Sequence, residues 1–208
     1  MKVHQVFGLF STEMPELFKD CSKKMVIYCE NNDYEYKLWN KKMCDDLIEL
    51  YPQYLEMYKS VRYPIMQVDI IRYLILHHEG GLYADMDIEP ISLIKDFDWA
   101  VSVYHNKGRV MFNMEVLQAE KGQKICLDYL DYVKSQILEK NEIKVYETWK
   151  IRYVLQTSGP RSLTRFMKKN LIKKGGYKVN NSTTHPNRMN LEGDEDFISY
   201  PSGSWITK

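Results

Sequence analysis

The chain has 208 residues, 44% of them hydrophobic, which suits one compact α/β domain with a buried core. Its formal net charge is +1, with acids and bases mixed along its length, so it offers no basic face for nucleic acid and no polybasic run for an anionic membrane. No apolar run reaches the length of about eighteen residues that a membrane span needs, and Met1-Lys2-Val3-His4-Gln5 lacks the apolar stretch of a signal peptide, so a soluble, cytoplasmic protein with no integral membrane segment is expected. Cys21, Cys29, Cys44 and Cys126 lack Cys-x-x-Cys spacing, which favours free thiols in a reducing compartment.

In chain order, Val3 to Phe7 reads as a short apolar strand ending at Gly8, and Met25 to Tyr28 as a second buried strand before a polar turn at Asn31-Asn32-Asp33. Helices are expected over Met43 to Tyr51 and Tyr54 to Ser60, interrupted at Pro52. From Ile65 to Glu79 the apolar residues fall at helical spacing, and Asp69, Arg72 and Tyr73 share one face, able to present an ion pair to a cleft. Gly80 and Gly81 stop that helix, since glycine accepts the left-handed backbone just past a helix end. The residues that follow alternate: Leu82, Ala84 and Met86 point one way, and Tyr83, Asp85 and Asp87 the other, in a strand that Pro90 ends near Ile88 or Glu89.

Two carboxylates at the end of a strand repel each other unless a cation lies between them or water solvates them. Mn²⁺ or Mg²⁺ suits such oxygen ligands and completes its shell with the oxygens of a substrate phosphate, so a diphosphate substrate is expected at Asp85 and Asp87. A second Asp-x-Asp at Asp96 and Asp98 precedes an apolar strand, Trp99 to Tyr104, and reads as polar connection. Asn113 is expected before a helix, Lys124 to Glu139 as an amphipathic scaffold helix, and Tyr146 to Gln156 as another. Thr157-Ser158-Gly159-Pro160 breaks this last helix before one over Arg161 to Lys174. Tyr177 to Val179 reads as a short edge strand, and Asn180 to Glu195 as a polar loop.

Asp69-x-x-Arg72-Tyr73 followed by Gly80-Gly81-Leu82-Tyr83-Ala84-Asp85-Met86-Asp87 resembles the signature of the glycosyltransferases with a sugar-binding Asp-x-Asp region, glycosyltransferase family 32, related to the clostridial glucosylating toxins. Val3 to Phe7, Tyr34 to Trp39, Asn113, Thr157 to Pro160 and Gly203-Ser204-Trp205 agree in order with the same family. The resemblance implies a GT-A-type fold, a central mixed sheet flanked by helices, as a single domain over residues 1–208 with a flexible C-terminal lid at about 180–208. It also implies a retaining transfer of a hexose from a nucleotide sugar, a UDP-sugar in first place or GDP-mannose, to a glycan, lipid or protein acceptor.

By that resemblance Asp85 and Asp87 hold the metal, and Asp69, Arg72 and Asp87 form the catalytic set. Val6, Phe7, Asp69, Arg72, Tyr73, Gly81, Asp85, Asn113, Ser204 and Trp205 form the donor site, with Asp69 and Arg72 gripping sugar hydroxyls. Phe7 stands where the family has Trp, and either stacks on the nucleotide base or packs in the core. The family's His before Gly-Ser-Trp is absent here, where Ser199-Tyr200 occupies the neighbourhood, leaving His185, Asp194 and Asp196 as candidate third ligands. The rival readings are a catalytically silent nucleotide-sugar-binding protein, which the missing His favours, and an aspartate-nucleophile phosphatase. The phosphatase pattern needs Thr or Val where this chain has Glu89.

Overall fold

The computed structural model describes residues 1–91, 99–106, 109–139, 150–174, 183–184 and 197–200. Its first half runs β1 (Lys2–Val6), α1 (Glu16–Asn31), β2 (Glu35–Trp39), α2 (Lys41–Glu49), α3 (Pro52–Ser60), α4 (Pro64–Glu79), β3 (Gly81–Ala84) and β4 (Ile88–Pro90). The rest is β5 (Trp99–Asn106), β6 (Arg109–Ala119), α5 (Lys124–Lys134) with a π-helical turn Ser135–Glu139, α6 (Lys150–Thr157), α7 (Pro160–Lys174), β7 (Thr183–Thr184) and β8 (Phe197–Ser199).

The central sheet has the order β2-β1-β3-β6-β5, parallel across β2, β1 and β3 and antiparallel from β3 to β6 to β5. Helices cover both faces. Residues of α2, α3, α4, α5 and α7 pack with Tyr83, Phe112, Met114 and Leu117 on one side, while Met25 and Cys29 of α1 pack with Val3, Leu82 and Val116 on the other. The expected mixed sheet flanked by helices is the one observed. Because β1 and β3 run parallel, their C-terminal ends open at the same edge, and Phe7 and Asp85 follow them there.

Four local expectations change. Met25 to Tyr28 is a turn of α1 and not a strand: the buried residues Phe18, Cys21, Met25 and Cys29 recur at helical spacing, and Ile27 points to solvent at 55% exposure. The second parallel strand is Glu35–Trp39 instead. Pairing of β3 ends at Ala84, so Asp85, Met86 and Asp87 form a turn, closed by the Ile88 N–H donating to the Asp85 carbonyl at 3.2 Å. Pro90 stays within β4, which is tolerated because β4 is an edge strand of a small second sheet ordered β4-β8-β7. Asn113 lies inside β6 with no helix after it, because the strand runs on to Ala119.

The expected break after α4 is held by long-range bonds. His4 of β1 is fully buried; the Trp39 indole N–H donates to its Nδ1 at 3.2 Å, so Nε2 carries the proton and donates to the Gly80 carbonyl at 2.9 Å. Gly81 has φ +98°, and a Cβ there would lie 2.3 Å from the Lys2 carbonyl oxygen. That close backbone approach accounts for Gly81 as a fold requirement and corrects its expected place in the donor site, since Gly81 does not line the cleft described below. Glu79 joins the same corner, accepting from Lys37 at 2.5 Å and Lys2 at 2.9 Å.

All four cysteines are free and buried. Among the described residues no helix is long and apolar enough to cross a membrane. Of the expected C-terminal lid, Thr183–Thr184 and Phe197–Ser199 are strands and Tyr200 follows them, whereas Tyr177 to Val179 and the second Asp-x-Asp lie outside the described residues.

Two predictions test this frame. Burial lowers the His4 pKa from its ordinary 6.5 to about 4, so the neutral ring stabilises the fold fully above pH 6.5 and that contribution drains away as the pH falls toward 4. The stability difference between the protein and His4→Gln, measured by urea denaturation, is therefore largest near pH 7 and shrinks by about 3 kcal/mol at low pH; a difference that stays flat over this range contradicts the assignment. Gly81→Ala is expected to cost at least about 2 kcal/mol, and Gly122→Ala, at φ +80° but facing open space, about 1 kcal/mol.

Candidate active site

One cleft of about 260 Å³ opens at the edge where β1 and β3 end. Its walls include Val6 and Phe7 after β1, Ile65, Val68, Asp69 and Arg72 of α4, Tyr83, Asp85, Met86 and Asp87 at the end of β3, Asn113 to Glu115 of β6, and the junction of α6 with α7. Residues from both halves of the chain thus meet in one place.

Arg72 organises the floor. It is 2% exposed, yet its guanidinium is well served: Nε donates to the Val68 carbonyl at 3.3 Å, Nη1 to the Met114 carbonyl at 2.7 Å, and Nη2 pairs with Asp69 Oδ1 at 3.1 Å. Nη1 also pairs with Asp85 Oδ1 at 3.2 Å. The guanidinium lies 4.8 Å from the Tyr83 ring, whose hydroxyl donates to Asp85 Oδ1 at 2.7 Å. Asp69, 5% exposed, accepts from the Ser158 hydroxyl at 2.6 Å on its second oxygen. The α4 ion pair expected from the i, i+3 spacing is present, and it is turned toward the protein as much as toward the cleft.

The backbone of the acid turn is tied down from three directions. The Gln5 amide donates to the Asp85 carbonyl at 3.0 Å, the Asp85 N–H donates to the Glu115 carbonyl at 2.8 Å, and the Tyr200 N–H donates to the Asp87 carbonyl at 3.0 Å. Gln5 is oriented in turn by the Tyr36 hydroxyl at 2.8 Å. The Tyr200 hydroxyl donates to Glu89 at 2.7 Å, and Glu89 pairs with Lys24 at 2.8 Å, which clasps the C-terminal strand across the turn.

Electrostatics follow from this crowding. Burial, with like charge from Asp87 and Glu115, pushes the Asp85 carboxyl up to about 7 against the opposing pull of Arg72 and the Tyr83 hydroxyl. Burial also raises Asp69, with Arg72 and Ser158 pulling the other way. Burial works to lower the Arg72 pKa, but Asp85 leads the neighbours that raise it above its ordinary value. The two carboxylates of Asp85 and Asp87 fit Mn²⁺ or Mg²⁺, whose charge would offset the like-charge part of what raises Asp85, with substrate phosphate oxygens as further ligands. Among the described residues no three His, Cys, Asp or Glu side chains gather into a metal site. His185, Asp194 and Asp196 lie outside the described residues, as do Ser204 and Trp205.

Val6, Phe7, Asp69, Arg72, Asp85, Asp87 and Asn113, all named from the sequence, line the cleft. Tyr73 does not: it is fully buried, its ring 4.6 Å from Tyr129 and 6.4 Å from Trp99, because the helix turns that position into the core. Sequence reasoning did not single out Phe10, Phe18, Glu115 or Tyr200. Phe7 meets Phe18 edge-on at 6.4 Å, so the two rings form one aromatic wall. Reading α1 as a helix would have pointed Phe18 inward, and the family resemblance already put Ser199-Tyr200 in the neighbourhood of the missing His, but nothing in the sequence places Glu115 beside the acids.

Comparison with known proteins agrees with this geometry. Residues 15–107 match a family described as "Glycosyltransferase sugar-binding region containing DXD motif". Mannosyl phosphorylinositol ceramide synthase SUR1 of Saccharomyces cerevisiae is 37% identical over 86 residues, 41% of this chain and 22% of that protein. Inositol phosphoceramide mannosyltransferase 2 of Schizosaccharomyces pombe is 34% identical over 86 residues, 41% of this chain and 24% of that protein. Initiation-specific alpha-1,6-mannosyltransferase of Candida albicans is 42% identical over 62 residues, 28% of this chain and 16% of that protein. The match thus spans less than a quarter of the length of each of these relatives. Among solved structures, the PaToxG glycosyltransferase superposes with a TM-score of 0.50 at 18% identity, covering 82% of this chain and 69% of that one, a likeness of GT-A-type fold.

Arg72→Met is expected to destabilise the fold by about 3–5 kcal/mol, because it leaves the carboxylates of Asp69 and Asp85 without their shared cation. Chemical denaturation at pH 7.5 checks this, and a loss under 1 kcal/mol would show the network to be dispensable.

Proposed function

We propose that the chain, whose residues 15–107 match the glycosyltransferase sugar-binding regions that carry a DXD motif, is a metal-dependent, retaining hexosyltransferase working as one domain. The observation that carries the reading is the meeting of Asp85 and Asp87 in one cleft, at the shared C-terminal edge of parallel strands, above a buried Arg72 that holds Asp85 in place. The relatives transfer mannose by name, so GDP-mannose leads the candidate donors, with UDP-hexoses beside it. The acceptor is a hydroxyl of a glycan, lipid or protein.

Asp85 and Asp87 would hold Mn²⁺ or Mg²⁺, which supplies Lewis-acid neutralisation of the leaving diphosphate. Val6 and Phe7 take the nucleotide base, the Phe7 ring offering an apolar face for stacking while Phe18 meets it edge-on. The Asp69–Arg72 pair, braced by Ser158, keeps Asp85 oriented toward the cleft. The family resemblance gives Ser204 and Trp205, which lie outside the described residues, donor contacts as well.

The test is hydrolysis or transfer from GDP-mannose, UDP-glucose, UDP-galactose and UDP-N-acetylglucosamine, with Mn²⁺, with Mg²⁺ and with chelator. Activity on at least one donor with metal is expected, falling by about a hundredfold or more with chelator and in Asp87→Ala and Asp85→Asn, both still folded by circular dichroism. Full activity in either variant sinks the metal assignment. Tight donor binding without turnover favours a silent sugar-nucleotide binder in its place.

A further inference from the structure

The sugar ring of a donor needs hydroxyl partners with open lone pairs or N–H groups, and the floor of this cleft has few to spare. Arg72 spends Nε, Nη1 and Nη2 on Val68, Met114, Asp85 and Asp69, while both oxygens of Asp69 already accept. Glu115 differs. It lines the same cleft and is partly exposed, and among the described residues no hydrogen bond or ion pair holds its carboxylate. Beside it, the Asn113 carbonyl oxygen accepts from the Met114 N–H, while its amide N–H₂ has no partner among the described residues.

Backbone geometry explains why Glu115 points there. Val101 pairs with Leu117 and Val103 with Phe112, so residues 113–116 of β6 stand opposite Ser102 alone in a broad bulge. Bulges re-aim side chains and cluster beside active sites. Here Met114 packs into the core on one face of the sheet and Val116 on the other, a change of side that occurs at Glu115. The bulge is anchored at two points: the Met114 carbonyl accepts from Arg72, and the Glu115 carbonyl accepts from the Asp85 N–H. The carboxylate therefore stands beside Asp85, close enough to add to the charge that Asp85 feels.

We propose that Glu115 is a donor-sugar contact, its carboxylate accepting hydrogen bonds from ring hydroxyls of the nucleotide sugar beside Asn113, which the family resemblance already puts in the donor site. The proposal rests on the glycosyl-transfer reading above and names the residue that selects the sugar. A carboxylate with two open oxygens grips a vicinal diol, and each charge-assisted bond contributes enough to discriminate between epimers. Glu115 is thereby assigned to the sugar and not to the diphosphate, so its removal should weaken recognition of the sugar and not of the nucleotide.

The experiment is calorimetric titration, in Mn²⁺, of the wild-type protein, Glu115→Gln and Glu115→Ala with each of the four nucleotide sugars named above and with GDP and UDP. Mn²⁺ affinity is measured separately by electron paramagnetic resonance. For the donor that the wild type binds best, both variants should bind about tenfold more weakly, with nucleoside diphosphate and Mn²⁺ affinities within twofold of wild type. Equal donor affinity in all three proteins overturns the proposal and leaves the glycosyltransferase reading standing. A parallel loss of GDP, UDP or Mn²⁺ binding also overturns it, assigning Glu115 to the diphosphate or metal. If the wild type binds none of the nucleotide sugars, both readings fall together.

Discussion

The buried guanidinium of Arg72 is the constraint on which the rest of the structure turns. A charge at 2% exposure survives only if its surroundings replace the water it lost, and here two carboxylates and two backbone carbonyls do so. Those four groups come from three pieces of the fold: Val68 and Asp69 from α4, Asp85 from the turn after β3, Met114 from the bulge of β6. Satisfying one arginine therefore positions the helix, the acid turn and the bulge relative to one another. The same interaction that makes the core self-consistent also aims carboxylates into the cleft.

The need to crowd acids together explains much of the surrounding architecture. Asp87 and Glu115 add to the cost of ionising the buried Asp85, and the Arg72 cation is what offsets it. Backbone ties from Gln5, Glu115 and Tyr200 hold the acid turn when a short strand could not. Such over-determination is what a site requires if its charged groups are to stay in place before the ligand arrives. The Lys24–Glu89–Tyr200 clasp extends this to the C-terminal strand, which shares a small sheet with the residues just past the acids.

Errors in the sequence reading have a common physical origin. Short apolar runs do not distinguish a strand from one turn of a buried helix, so Met25 to Tyr28 read as strand until the wider spacing of Phe18, Cys21, Met25 and Cys29 is considered. Period-two alternation over Leu82 to Asp87 predicted an unbroken strand, yet the partner β6 offers pairing only as far as Ala84. Tyr73 shares a helix face with Asp69 and Arg72 by spacing, but burial on nearly every side of α4 sends it to the core.

What the chain determined by itself is local: the helix with its i, i+3 ion pair, the glycine pair that ends it, the strand after that, and the two acids beyond. These follow from periodicity, from glycine's access to positive φ and from the chemistry of carboxylates, none of which needs distant residues. Only the tertiary structure decided that Gly81 is required by the carbonyl of Lys2, that His4 holds Gly80, and that Phe18, Glu115 and Tyr200 surround the acids. Those contacts join residues far apart in the chain, and a bulge in β6 reverses which side its residues face. Parity along the sequence cannot reveal such a reversal, because it depends on the neighbouring strand.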